Sequence, residues 1–162
     1  MPYTPILATL GYVMSPDRQR VLLVHRNSRP GDLHYGKYNG LGGKLEANED
    51  IVSGMKREIR EEAGIESEEL VLRGTISWPG FGKHGEDWFG FVFRIDRWSG
   101  TPYERNSEGT LEWVPVASMA ELNLWEGDRL WLDLVFEQSS QTFHGIAPYE
   151  GHRLVSWDVT KI

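Results

Sequence analysis

The stretch GKLEANEDIVSGMKREIREEAGI, residues 43–65, sets three carboxylates on one side of a short helix. Helical neighbours lie three and four residues apart, so Glu58 stands beside both Glu61 and Glu62. Unneutralised carboxylates crowded in this way repel one another. A divalent cation is the simplest physical reason to keep them ionised, and hard cations such as Mg2+ choose oxygen ligands. A carboxylate-bound Mg2+ commonly also holds waters and substrate phosphates. Phosphate chemistry is therefore the first expectation. An acidic helical run is more often just a solvated face, and the surrounding residues decide between the two.

Those residues predict a helix over 50–63, with Val52, Met55, Ile59 and Ala63 as its apolar stripe. Glu61 falls nearly opposite the stripe, with Glu58 and Glu62 on its flanks. Gly64 suits the C-terminal cap because glycine accepts the left-handed conformation. Gly54 inside the helix costs about 1 kcal/mol relative to alanine, and close packing on a strand is the simplest reason for it.

The segment resembles the Nudix box, G-x5-E-x7-R-E-U-x-E-E-x-G-U, where U is bulky and aliphatic. Gly43, Glu49, Arg57, Glu58, Ile59, Glu61, Glu62, Gly64 and Ile65 fill all nine specified positions. So long a match is far more specific than a lone glycine-rich loop. The resemblance implies an α/β (α+β) chain with the Nudix fold, an α/β/α sandwich around a mixed sheet, as a single domain over 1–162. It implies hydrolysis of a nucleoside diphosphate linked to another group, with Mg2+ or Mn2+ as cofactor. The metal falls to Glu58, Glu61 and Glu62, aided by a carbonyl near Gly43 and by a further carboxylate at Glu108, with Glu112 as a weaker competitor. Glu61 or Glu62 would also orient or deprotonate the attacking water. Asn48 stands where the family often has glycine, and asparagine tolerates positive φ.

Arg57 precedes Glu58 by one residue and Glu61 by four, so a charge partner for the glutamates is favoured over a phosphate contact. Glu49 is expected to hold the loop and helix together. Gly42 and Gly43 would let backbone N–H groups approach a phosphate, with Lys44 adding a point charge.

Composition sets the outer limits. The chain has 162 residues, 40% of them hydrophobic, enough for one core. No apolar run reaches the roughly 18 residues of a membrane span, and the start MPYTPILATLGYVM lacks a signal-peptide pattern. The absence of cysteine excludes disulfides and thiolate metal sites and fits a reducing cytoplasm. A net charge of −7 argues against long nucleic acids as partners, though not against a small nucleotide.

Strands are expected at 4–14, 20–26, within 38–46, and at 70–78, 87–96, 111–114, 141–147 and 153–160. Helices are expected at 117–122 and 128–138, the latter with Leu130, Leu134 and Val135 inward. Pro79 to Gly85, with its glycines, reads as a mobile or tightly shaped loop.

Outside the box, Lys37-Tyr-Asn-Gly-Leu-Gly-Gly-Lys44, Glu108-Gly-Thr-Leu-Glu-Trp-Val-Pro115, Leu124-Trp-Glu-Gly-Asp128 and Phe143-His-Gly145 are similar to the MutT-type branch, which clears oxidised purine nucleoside triphosphates such as 8-oxo-dGTP. That similarity implies Asn39 on a purine edge, Trp125 stacked on the base and Asp128 at its polar edge. Asparagine suits this role because its amide both donates and accepts. Some enzymes of this branch have two adjacent aspartates where this chain has Gly127-Asp128. Trp78 and Phe81 are alternative stacking residues. Within the same fold, an ADP-ribose or dinucleotide polyphosphate hydrolase and an RNA 5′-end pyrophosphohydrolase remain alternatives, Pro79 lying where the ADP-ribose branch carries a proline. A monomer and a homodimer both stay open.

Overall fold

The computed structural model describes residues 1–162. Its elements are β1 (Ile6–Met14), β2 (Arg20–His25), β3 (Tyr38–Asn39), β4 (Leu41–Lys44), α1 (Ile51–Ala63), β5 (Glu66–Trp78), β6 (Trp88–Ser99), β7 (Thr110–Pro115), a 3-10 helix (Val116–Glu121), α2 (Asp128–Phe136), β8 (Phe143–Ile146), β9 (Tyr149–Glu150), β10 (Arg153–Leu154) and β11 (Asp158–Lys161).

Side chains alternate across a strand, and β2 uses both faces. Leu22 and Val24 join Val13, Met55, Ile59 and Ala63 under α1. Val21 and Leu23 join Tyr12, Trp131, Leu132 and Val135 under α2. The sheet thus has a helix on each face, the α/β/α sandwich expected. The sheet order is β11-β8-β5-β6-β1-β2-β3, with β4 also on β1 and β7 also on β2. β1 runs parallel to β6, and β5 parallel to β8. The free edge of β1 is shared, Ala8–Gly11 pairing with β4 and Val13–Met14 with β2. This division sets the glycines of β4 beside α1. No helix is long and apolar enough to cross a membrane.

Several local expectations change. Val52 is exposed, and the buried row of α1 is Gly54, Met55, Ile59 and Ala63. Leu130 is exposed as well, because the indole of Trp131 takes the inward position with Leu132 and Val135. β5 begins four residues early, at Glu66; register shifts after Ser67, Glu69 and Leu72 break the alternation that would have revealed it. The expected strand 153–160 is split, β10 pairing with β9 and β11 with β8. The segment expected to be helical at 117–122 is a 3-10 helix.

The far end of α2 is held by two buried arginines. Arg73 donates to the carbonyls of Leu134, Ser139 and Gln141 at 3.0–3.2 Å. Arg94 donates to Val135 O at 3.0 Å and is paired with Asp96 at 2.7 Å. A helix C-terminus leaves carbonyls unsatisfied and attracts cations. Arg94→Ala should therefore destabilise the fold by about 3 kcal/mol, since Asp96 is left buried with a weaker partner. Urea denaturation checks this, and a loss below 1 kcal/mol would refute it.

Candidate active site

The carboxylate face of α1 is placed by its two ends. Asp50 caps the start, accepting from Val52 N and Ser53 N at 2.9 Å. Gly64, at φ 70°, ends the helix with its N–H on Arg60 O. Between these ends the glutamates face the double glycine of β4. A Cβ on Gly42 would lie 1.9 Å from Thr9 O, and one on Gly43 would lie 2.7 Å from Glu58 Oε1. Only glycine allows that approach. Gly42 N donates to Glu62 Oε2 at 3.1 Å. Gly54 also answers to close packing, but its neighbours are Leu45 and Glu49 of the preceding loop rather than a strand. Asn48 in that loop does not adopt positive φ.

Arg57 lies among carboxylates. Its guanidinium donates to both oxygens of Glu49 at 2.9 and 2.6 Å, to Glu58 at 2.9 Å, to Glu61 at 3.3 Å and to Lys44 O at 3.1 Å. The Glu49 carboxyl is held at about 2 by this fork. A lysine cannot reproduce a planar, bidentate contact. Arg57→Lys should lower stability, since the planar fork is lost, and lower turnover at least tenfold, measured by urea denaturation and by steady-state kinetics. Unchanged values in both would show the fork to be dispensable.

The remaining glutamates carry the repulsion expected from their spacing. Burial pushes the Glu62 carboxyl up to about 9, reinforced by the charges of Glu108 and Glu58. Burial also raises Glu58, against the pull of Arg57. Glu61 remains solvent-exposed. No three acidic or histidine side chains converge tightly enough to form a closed metal cage as they stand. Glu58 and Glu61 lean on Arg57, and Glu62 on Gly42. The donor set nevertheless fits a hard divalent cation. It is all oxygen, it is electrostatically strained toward taking up positive charge, and the glycine backbone lies against it with no Cβ between.

Glu108 reaches this group from the loop before β7. Arg26 contacts it at 3.4 Å. Asn106 ties the loop to the helix, donating to Glu62 O at 3.0 Å and accepting from Glu108 N at 2.9 Å. Glu112 points elsewhere: it accepts from Tyr38 and Thr110 and meets His25 at 3.1 Å. That engagement removes it as a competitor for Glu108.

A cavity of about 630 Å³ runs from this glycine corner into an aromatic pocket. Its size is that of a small-molecule site, roughly 300–1,000 Å³. Asn39, Gly42, Gly43, Lys44, Trp78, Glu108, Trp125 and Asp128 all line it, as do Phe81 and Trp131. Asn39 Nδ2 and Trp131 Nε1 are buried there with no partner in the protein. Burial pushes the Asp128 carboxyl up to about 7, against Lys37 and Arg129. Lys44 Nζ stands 5.7 Å above the Trp88 ring. Trp125 is largely enclosed, with Lys37 Nζ 5.1 Å from its ring and Phe81 packed edge-on at 5.0 Å. Trp78 is half-buried and lies across Gly90, where a Cβ would come within 2.5 Å of its ring. The loop Pro79–Gly85 is tightly shaped, Gly80 N bonding Asp87 at 2.9 Å and Gly82 N bonding Glu86 O at 2.9 Å.

Sequence reading missed Arg26, Asp32, His34, Lys37, Asn106 and Trp131. Only Asn106 left a usable local signal: Asn-Ser-Glu-Gly is a turn composition whose asparagine bonds backbone two residues on.

The chain matches the NUDIX domain family over residues 5–135. It is 31% identical over 153 residues to an oxidized purine nucleoside triphosphate hydrolase of Danio rerio, covering 94% of this chain and 92% of that protein. It is 33% identical over 141 residues to the protein of the same name from Mus musculus, covering 87% and 86%. Among solved structures, a MutT protein from Bacillus halodurans superimposes with a TM-score of 0.82 at 28% identity, covering 95% of this chain and 97% of that one. With the complete box on α1, the glycine corner facing it and these likenesses over nearly its whole length, the chain belongs to the Nudix family and is a MutT-like hydrolase.

Proposed function

We propose that residues 1–162 act as one Mg2+-dependent domain (Mn2+ serving as well) that hydrolyses oxidised purine nucleoside triphosphates such as 8-oxo-dGTP. The products are nucleoside monophosphate and pyrophosphate, and the role is sanitising the nucleotide pool. The observation that carries this reading is one cavity joining the glycine corner beside the box glutamates to an aromatic pocket containing Asn39 and Asp128. The two named hydrolases similar over most of this chain support it.

Glu58, Glu61, Glu62 and Glu108, with a carbonyl at Gly43, would hold the cation. Bound there, it would neutralise phosphate charge and lower the pKa of a water. The chain's own residues do the remaining work. Glu61 or Glu62 takes a proton from the attacking water. Arg57 positions Glu58 and Glu61 through its fork. Gly42 and Gly43 allow close backbone approach by the phosphates, and Lys44 adds charge beside them. Asn39 and Asp128 read the polar edge of the base, and Trp78 or Trp125 covers its face. We assign the enzyme to the cytoplasm, as a monomer or homodimer with no long nucleic acid as partner; the lack of cysteine agrees with a reducing compartment.

The test is a substrate panel with Mg2+: 8-oxo-dGTP, dGTP, dATP, ADP-ribose, a dinucleotide polyphosphate and 5′-triphosphate RNA. Monophosphate and pyrophosphate formed fastest from 8-oxo-dGTP is the expected result. A higher kcat/KM for ADP-ribose, the dinucleotide or RNA would overturn it.

A further inference from the structure

His34 lies in the loop between β2 and β3 and lines the same cavity. The Trp125 indole N–H donates to its Nδ1 at 2.8 Å. An indole nitrogen can only donate, so Nδ1 must carry a lone pair. That requirement excludes the imidazolium, which bears hydrogen on both nitrogens, and places the single ring proton on Nε2. Burial and the charges of Arg26 and Lys37 agree, lowering the ring to about 4. Nε2 meets no hydrogen-bond partner in the protein, whereas Nδ1 does.

The ring is also held in place. It packs edge-on to Trp125, centroids 5.4 Å apart at 81°, and against Phe81 at 5.9 Å. Its backbone N donates to Asp32 at 3.1 Å, and its carbonyl accepts from Lys37 N at 2.8 Å. Asp32 is clamped in turn by Arg26 at 2.7 Å, the same arginine that meets Glu108. A donor fixed by its neighbours costs little to use in recognition.

Asn39 and Trp131 line the same cavity, and their Nδ2 and Nε1 are buried with no partner in the protein. The unused Nε2–H of His34 favours a base that presents an acceptor to it, because a donor left unpaired on burial is costly. Oxo-purines offer carbonyl oxygens, whereas adenine offers an amino group at the equivalent edge.

We propose that His34 is a specificity-determining residue, whose Nε2–H, fixed by the Trp125 indole, donates to a carbonyl acceptor of an oxo-purine base. This rests on the purine triphosphate reading above and names the group that would select the base. His34→Phe removes the donor and keeps a ring, while His34→Gln returns an N–H near the Nε2 position. Kinetics with 8-oxo-dGTP, dGTP and dATP, and equilibrium binding of guanosine and adenosine by tryptophan fluorescence, compare the variants with wild type.

His34→Phe should raise KM for the oxo-purines about tenfold, the worth of one hydrogen bond, with kcat changed less than threefold and dATP little affected. His34→Gln should recover most of that loss. Equal effects on all three bases, no change for the oxo-purines, or failure of glutamine to rescue would overturn the proposal. A wild-type reference that does not depend on folding of a variant comes from 15N NMR. The His34 ring should show one neutral tautomer protonated at Nε2, with that resonance moving on guanosine but not adenosine. Protonation at Nδ1, or equal response to both nucleosides, would refute the assignment. If the wild type hydrolyses no purine triphosphate, the proposed function fails, while the binding and NMR contrasts still decide the role of His34.

Discussion

Replacing Glu61 or Glu62 by glutamine is expected to lower turnover about a thousandfold, equivalent to about 4 kcal/mol of transition-state stabilisation, while leaving the fold intact. The two halves of this result have separate physical causes. Turnover should fall because an amide neither matches a carboxylate as a ligand for a hard cation nor accepts the proton of an attacking water. The fold should persist because neither side chain is a structural keystone. Glu61 is exposed and reaches only Arg57, at 3.3 Å. Glu62 makes one bond, from Gly42 N at 3.1 Å, and the glutamine oxygen can accept it equally well. Burial and the charges of Glu108 and Glu58 already favour the neutral, protonated form of Glu62, and glutamine is its neutral isostere, so the substitution adds no strain.

The measurement pairs kcat on 8-oxo-dGTP with thermal unfolding at several Mg2+ concentrations. A ligand that binds only the folded state raises its apparent stability by mass action. The wild type should gain Tm with Mg2+, and the two variants should gain less. Glu66→Gln supplies the comparison: Glu66 follows the box and pairs with Arg60 at 2.8 Å, away from the glycine corner. It should leave both kcat and the Mg2+ response unchanged. If Glu61→Gln and Glu62→Gln both kept full turnover, the acidic face of α1 would be merely solvated and the metal assignment would fall.

The sharpest part of this site was legible because its chemistry is local. Helical spacing alone brings Glu58, Glu61 and Glu62 together, and the 43–65 stretch contains both the helix and the glycines that face it. The long β2 run also reads directly, because its burial on both faces leaves an uninterrupted apolar stretch. The proposed base-binding end was legible only in pieces. Asn39, Trp78, Trp125 and Asp128 come from β3, β5, the loop before α2 and α2 itself, and only the sheet order brings them into one cavity. The failures have the same origin. Leu130 and Trp131 are adjacent apolar residues, and which one faces inward depends on how α2 sits on the sheet. β5 starts early at Glu66, and its register shifts after Ser67, Glu69 and Leu72 are backbone irregularities with no residue signature. His34 looked like an ordinary loop residue until Trp125 arrived from 91 positions away.

Asp128→Asn is expected to stabilise the protein in a pH-dependent way while impairing base recognition. Burial places the folded Asp128 carboxyl at about 7, whereas an unfolded aspartate titrates near 3.9. Between these values the folded state binds a proton that the unfolded state has released, so stability falls as pH rises. The wild type therefore has the full contribution below about pH 4 and loses it as pH climbs through about 7. Asparagine has no such titration. The advantage of Asp128→Asn should grow from near zero at pH 4 to a plateau above pH 7, bounded at about 4 kcal/mol. Urea denaturation of both proteins at pH 4.5, 6 and 8 reads the difference directly, and groups common to both cancel. The proposed role in base recognition accounts for a carboxyl placed there at such cost. The protonated carboxyl can donate and accept, whereas the ionised one only accepts, and a bound base that excludes water from Asp128 favours the protonated form. Affinity of the wild type for 8-oxo-dGTP should therefore weaken above about pH 7, and that inflection should vanish in Asp128→Asn, which should also discriminate less between 8-oxo-dGTP and dATP. A stability difference constant across pH would refute the buried titration. An unchanged preference among bases in the variant would remove Asp128 from the recognition site.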